Sequence, residues 1–452
     1  MSAKHPLGYP AHARALLTLG VPLVASHLAQ TLLHVTDTVM LGWYGVTELA
    51  AVVLGSSAFF IVFILGSGFG IAVMGLVSSA LGAGDTTQVR RDTRMGLWLS
   101  IGYGLAVMPL MWWSGPILLA AGQKPEVAAL AQSYLRIAGF GMAPALVIMT
   151  LKSYLAAFER TQVVLVVTLV SVGVNAGLNW ALIFGNWGAP ELGVQGAAIA
   201  TLAVQLIGAA MLAGFAGWLR ELRQFELFHR FWRPDWQAMR KVFRLGLPIG
   251  LTGLAEGGLF QASALMMGWL GAAALAAHGI ALELAALTFM VHMGLSNAAT
   301  VRVGRADGAR DKRGLRDAAA TATAMSLAFA VAAVVLFLAI PETLVALFLD
   351  SSKPGSAEII AFGARLLAVA ALFQMFDAMQ VMALGLLRGV QDTRAPMWLA
   401  SISYWLIGIP ASYVLAFPMG LGGVGLWFGL VVGLAAAAGL LMTRFWRGRL
   451  RA

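Results

Sequence analysis

Apolar runs of about 20 residues or more recur along the whole chain, each long enough to cross a hydrocarbon core of roughly 30 Å. Lipid offers the backbone no hydrogen-bonding partner but itself, so such runs specify membrane helices. Composition agrees. Hydrophobic residues make up 60% of the chain and charged residues 11%, with a mean hydropathy of +0.83. A soluble domain carries about 25% charged residues. The first run, near Leu16, is too long for a signal-peptide core and lacks a clear small-residue cleavage site, so it is expected to stay as a helix. The chain has no cysteine, which excludes disulfides and thiolate metal sites. In so apolar a chain the net charge of +10 reads as positive-inside bias at a membrane surface, not as a nucleic-acid footprint.

Twelve helices are expected, at 14–42, 50–81, 93–120, 127–157, 162–185, 193–219, 242–270, 273–303, 315–348, 357–388, 395–417 and 423–446. Turn and charge signals separate them, among them Gly84-Asp85, the segment from Gly122 to Pro125, the segment from Gly185 to Gly188, and Asp350 to Pro354. Basic residues set the orientation. Lys4 and Arg14 precede the first helix, seven lie between Arg220 and Arg244, and six between Arg302 and Arg316. With Arg90, Arg91, Arg160, Arg388, Arg394, Arg444, Arg447, Arg449 and Arg451, 24 of the 30 basic residues fall on one side. The opposite loops hold only Lys124 and Lys353. Both termini are therefore expected in the cytoplasm, and the helix count is expected to be even.

The chain also repeats itself. The segment from Leu19 resembles the segment from Leu245 at an offset of 226 residues. At that offset Gly20 matches Gly246, Pro22 matches Pro248, Gly42-Trp43 matches Gly268-Trp269, and Asp85 matches Asp311. Later, Leu192-Gly193 and Gly196 are echoed by Leu421-Gly422 and Gly425. The expected architecture is thus an all-α integral membrane protein with twelve transmembrane helices in two pseudo-symmetric six-helix bundles. Residues 1–219 form an N-terminal lobe, 220–244 a basic cytoplasmic linker, and 245–452 a C-terminal lobe. Two halves inserted in the same direction are the plan of many secondary transporters, whose substrate lies between them.

Three carboxylates lie inside apolar runs: Asp37, Glu256 and Asp377. Each costs roughly 3 kcal/mol at membrane depth on insertion scales, so each is expected to serve a function or to face a wet interior. His27, Gln30, His34 and Asp37 share one face of the first helix. Asn175 and Asn179, spaced i and i+4, and Thr201 on the next helix offer neutral oxygens. These suit a hard cation beside Asp37, the hydrogen bonding of a buried carboxyl, or the joining of helices. In the second half, Thr252 and Glu256 share a face, Glu283 lies between His278 and His292, and Gln374, Asp377 and Gln380 step down one side of their helix. Lys152 and Arg136 sit near helix ends, where Lys152 is expected to snorkel. Met266, Met290 and neighbouring methionines are either core filler or the wall of an adaptable drug cavity, to which His34 and Gln374 are also assigned. No Gly-rich phosphate loop ending in Lys-Ser/Thr is present, so uphill transport has to draw on an ion gradient or a separate partner.

Several motifs resemble a known family. They are Pro22 followed by Thr36-Asp37-Thr38, the turn from Gly42 to Leu49, Val301-Arg302-Val303-Gly304, and the segment Leu387-Arg388-Gly389-Val390-Gln391-Asp392-Thr393. Together they resemble the MATE transporters (multidrug and toxic compound extrusion), and Glu256 with Asp377 resembles the NorM-like branch. The resemblance spans essentially the whole chain. It implies an antiporter, with no cofactor, that exports cationic or amphipathic drugs in exchange for H⁺ or Na⁺. It implies that Asp37, Asn175, Asn179 and Thr201 line an N-lobe ion site and that Glu256 and Asp377 line a C-lobe site, to which Glu283 adds a carboxylate where relatives commonly carry Asn. Relatives carry Asp where this chain has Asn179, and some carry Tyr where it has Phe373.

The implied setting is a bacterial inner membrane, with the chain working as a monomer, its partners being drugs or toxic organic cations and the lipid bilayer. One rival is a lipid-linked sugar flippase, which would need interior Arg or Lys for a pyrophosphate; the apolar runs here hold carboxylates instead. A second rival, a membrane-embedded enzyme, would need clustered nucleophile, base or metal ligands, whereas the histidines are scattered.

Overall fold

The structure, a computed structural model, describes residues 8–350 and 354–449. Lys4, Lys353, Arg451 and the side chain of Arg449, all used in the charge reading, lie outside the described residues. Among the described residues the chain is helical and has no strand. Its long helices are α1 (Tyr9–Tyr44), α2 (Val46–Ala83), α3 (Thr86–Ala106), α4 (Pro125–Ala157, with a tight turn at Gly139–Gly141), α5 (Thr161–Phe184) and α6 (Gly193–Trp218). They continue as α7 (Trp236–Gly268), α8 (Ala272–Gly308), α9 (Lys312–Ala339), α10 (Ser356–Gly389), α11 (Arg394–Ala416, with a π-helical stretch at Ser403–Gly408) and α12 (Gly422–Thr443). Eleven of the described helices are long and apolar enough to cross a membrane. The exception is α7, which has the length at 33 residues but whose apolar run is thinned by Thr252, Glu256, Gln261 and its glycines. The all-helical, multi-pass membrane architecture is the one expected.

The chain divides into two compact units. The first is Ala25–Gly250; the second joins the chain up to Val24 with Leu251 onward. Both boundaries fall inside helices, two residues past Pro22 in α1 and Pro248 in α7. Proline has no N–H to donate and weakens a helix at such a point.

The repeat is visible in how each unit is packed. In the first unit, the start of α7 lies against α2 so closely that a Cβ on Gly68 would strike the Gly246 carbonyl. In the second unit, the start of α1 lies against α8, and a Cβ on Gly294 would come 2.9 Å from the Val24 backbone nitrogen. Gly68 and Gly294 stand 226 residues apart, as do Gly20 and Gly246. Small residues let membrane helices approach backbone to backbone, so the same close crossing is built twice.

Helix ends repeat as well. Asp85 caps α3, its Oδ1 accepting from Gln88 N at 2.9 Å, and Asp311 caps α9, its Oδ1 accepting from Gly314 N at 2.8 Å. Gly193 and Gly422, which open α6 and α12, share a left-handed backbone with φ of 53° and 57°. At the end of α10, Asp392 accepts a 2.8 Å hydrogen bond from Arg444, which ties α12 to that turn.

Candidate functional site

In the first unit, α1 and α5 bring three predicted residues into one constellation. Asp37 Oδ1 accepts from Asn179 Nδ2 at 2.6 Å and from Asn175 Nδ2 at 3.1 Å. The i, i+4 spacing on α5 puts both amides on the same face, and Asn179 also donates to Asn175 Oδ1 at 3.3 Å. Both asparagines are buried, while Asp37 is half-buried. Asn179 Oδ1 is buried and accepts nothing. Thr201 on α6 donates to the Ala197 carbonyl and lies within hydrogen-bonding reach of the Tyr134 hydroxyl, which also receives a hydrogen bond from Ser56 at 3.4 Å. Tyr134 is an electrostatic neighbour of Asp37. His34, also on α1, is exposed and is a second electrostatic neighbour of Asp37. Lys152 on α4 is half-buried and lies electrostatically close to His27.

In the second unit, α7, α10 and α11 converge. Asp377 is 1% exposed and Gln380 is fully buried. Glu256 is an electrostatic neighbour of Asp377 and hydrogen-bonds Gln380. Gln380 Nε2 donates to the buried Tyr404 hydroxyl at 2.5 Å. The guanidinium of Arg388, two turns beyond Gln380 on α10, completes the cluster as an electrostatic neighbour of both Glu256 and Tyr404. Tyr404 lies on the π-helical stretch of α11, the kind of irregularity often found at functional sites. Glu256 Oε1, Asp377 Oδ1 and Gln380 Oε1 are buried and accept no hydrogen bond among the described residues.

The other predicted residues lie apart. Glu283 is exposed on α8, and no described hydrogen bond or ion pair joins it to Glu256 or Asp377. Gln374 is fully buried and donates to the Ala285 carbonyl at 3.4 Å, which ties α10 to α8. Met266 is 5% exposed and Met290 half-buried. At the repeat counterpart of Asp37 stands Ser263, in a different network. Trp427 Nε1 donates to His278 Nδ1 at 3.1 Å, which leaves the ring proton on Nε2, 3.3 Å from Ser263 Oγ. Ser263 in turn donates to the Phe260 carbonyl at 2.7 Å.

Sequence reading passed over Tyr134, Tyr404 and the inward role of Arg388. Tyrosine in an apolar run looks like core, and in sequence Arg388 groups with the loop that follows it. Each cluster also holds carboxylate or amide oxygens that are buried without a donor among the described residues. That is chemistry for taking up and releasing a small cation, Na⁺ or H⁺, since buried acceptors without partners carry a cost that a bound cation removes.

A repeated bundle of apolar helices that gathers buried polar side chains defines a class, the multi-pass membrane transporters. The comparisons give the family. The MatE family matches residues 22–181 and 248–414. The "Probable multidrug resistance protein NorM" of Rhizobium meliloti (strain 1021) is 48% identical over 439 residues, 97% of this chain and 94% of that protein. The protein of the same description from Agrobacterium fabrum (strain C58 / ATCC 33970) is 45% identical over 96% of this chain and 93% of its own length. Among solved structures, a "Crystal structure of MATE in complex with MaL6" matches with a TM-score of 0.87 at 21% identity, covering 97% of this chain and 96% of that one. The chain belongs to the MatE family, the one its motifs resemble; it is a transporter and not an enzyme.

Proposed function

We propose that the chain is a multidrug efflux transporter that exports cationic or amphipathic compounds from the cytoplasm in exchange for H⁺. The observation that carries the proposal is the hydrogen-bonded setting of Asp37. Both asparagines turn their N–H groups, not their carbonyl oxygens, towards the carboxylate. A Na⁺ ion needs several converging oxygens, whereas a proton needs only the one carboxylate oxygen that the amides leave free. The description of its relatives as multidrug resistance proteins supports the drug side of the reading. The Glu256–Asp377 pair serves as a second coupling site. Two carboxylates at short electrostatic range repel, and one bound proton or Na⁺ relieves the repulsion. Arg388 offsets part of the remaining charge.

The coupling acts by alternating access. A ligand shifts a two-state equilibrium only through its different affinity for the two states. Protonation from outside favours the state that releases drug, and drug from inside favours the state that releases the proton. Pro22 and Pro248 are the bending points. The chain works as a monomer in the bacterial inner membrane, with both termini cytoplasmic, and Met266, Met290 and Gln374 of the second unit belong to the substrate path. Efflux of a lipophilic cationic dye from cells expressing Asp37→Asn, Glu256→Gln or Asp377→Asn tests the reading. Each variant, present in the membrane at wild-type level, is expected to lose at least about tenfold in uphill efflux. Wild-type efflux and ion coupling in all three would overturn it.

A further inference from the structure

The segment between α6 and α7 reads in sequence as a solvated basic connector. In the structure it is a folded strap on the first unit. Leu222, Phe225 and Leu227 are buried in the same apolar cluster as Tyr154 and Leu212. Removing such apolar side chains from water anchors the strap on the helices. Polar ties from α3 hold the strap as well. Trp98 Nε1 donates to the Phe231 carbonyl at 2.9 Å, and Arg94 donates to the carbonyls of Leu227 and His229. Two non-glycine residues of the strap, Glu226 and Arg230, take left-handed backbone with φ of 44° and 53°. Such a conformation persists only where the surroundings impose it.

The acidic residues of the strap are all engaged by the helices beneath. Glu221 pairs with Arg160, Glu226 with Arg90, and Asp235 with Arg91. Its arginines are not so engaged. Arg220, Arg223, Arg230 and Arg233 are exposed, and no described ion pair or hydrogen bond from their side chains joins them to the chain. Beside them Trp218, Trp232 and Trp236 are 87%, 71% and 72% exposed. The strap and its two flanks thus expose unpaired guanidinium and indole groups next to the ends of two long helices. Tryptophan gathers at headgroup level and unpaired arginine beside a membrane helix attracts anionic headgroups. We propose that this strap is a docking surface for anionic phospholipid, held in shape by the arginines that neutralise its own acids. The proposal is independent of the drug and of the coupling ion.

Native mass spectrometry of the full-length protein, loaded with an equimolar mixture of phosphatidylglycerol and phosphatidylethanolamine, tests it. The wild type is expected to retain phosphatidylglycerol preferentially. The quadruple variant R220Q/R223Q/R230Q/R233Q is expected to lose roughly tenfold in that preference, and the same four positions changed to Lys are expected to keep it. A triple variant R310Q/R313Q/R316Q, which removes cytoplasmic-side charge elsewhere, is expected to keep it too. An equal loss in that triple variant, or an unchanged preference in the quadruple Gln variant, would overturn the proposal. So would full displacement of the lipid by inorganic phosphate, which would mark a free-anion site, or by a soluble acidic peptide, which would mark a protein partner. If the quadruple variant does not fold, the single changes R223Q and R230Q each still predict a graded loss, and no loss in either would count against the proposal.

Discussion

Asp37 is one costly charge, and its surroundings carry the proposal that it exchanges a proton. Two amide N–H groups from a single face of α5 meet its Oδ1, and Asn179 Oδ1 has no donor among the described residues. A second carboxylate there would change the balance. Asn179→Asp places two negative groups within hydrogen-bonding distance and removes a donor, which demands a bound cation. Its dye efflux is expected to become Na⁺-stimulated at constant pH, by about tenfold. Efflux that stays indifferent to Na⁺ would contradict the role given to Asn179. Much of this cluster was legible in the sequence, because a carboxylate in an apolar run and an Asn pair at i, i+4 are both rare and directional. Tyr134 and Tyr404 were not, because a tyrosine ring packs like any apolar residue and only the fold shows where its hydroxyl points. Glu283 carries the same sequence signal as Glu256, yet one is exposed and the other joins a cluster. A lone carboxylate in a helical run does not reveal which side of the helix meets its partners.

At the scale of elements, the repeat offset of 226 residues carried over into matched caps and matched crossings. The sharing of α1 and α7 between the two units was not legible, since it depends on which glycine stripes meet in space. Those crossings give a paired expectation. Gly68→Leu and Gly294→Leu each drive a side chain into a neighbouring backbone, and each is expected to cost about 1–3 kcal/mol or more. Gly102→Leu and Gly279→Leu, where nothing lies within 4 Å, serve as controls. Thermal unfolding in detergent should show the first pair lowered together and the second pair near wild type; a tolerated Gly294→Leu would contradict the symmetric packing. The strap gives a pH expectation. The Arg91 guanidinium beside Asp235 holds that carboxyl below the usual carboxylate range. Its contribution to stability is therefore complete above the unfolded value, about pH 4, and is lost as pH falls through the lower folded value. Proteolysis across residues 219–235 should rise in the wild type below about pH 4, and Asp235→Asn should show raised cleavage already at neutral pH. A wild-type and variant strap cleaved alike at pH 7 would show that the pair does not hold it.

At the scale of the whole molecule, two halves of one plan have diverged in their chemistry. The counterpart of Asp37 is Ser263, bound into a His278–Trp427 network, while the second unit gathers its carboxylates from α7 and α10. Membrane class and the repeat could be read from the apolar runs and the 226-residue offset, because lipid allows the backbone so few solutions. The proton proposed as the coupling ion could not, because that proposal rests on which way two amides face. Transport by purified protein in liposomes, with a proton gradient and a Na⁺ gradient imposed separately, tests that point most directly. A pH difference alone is expected to drive dye movement, and dye is expected to release protons from the wild type but not from Asp37→Asn. Dye movement driven by a Na⁺ gradient at uniform pH, or undiminished proton coupling in Asp37→Asn, would contradict proton exchange at Asp37.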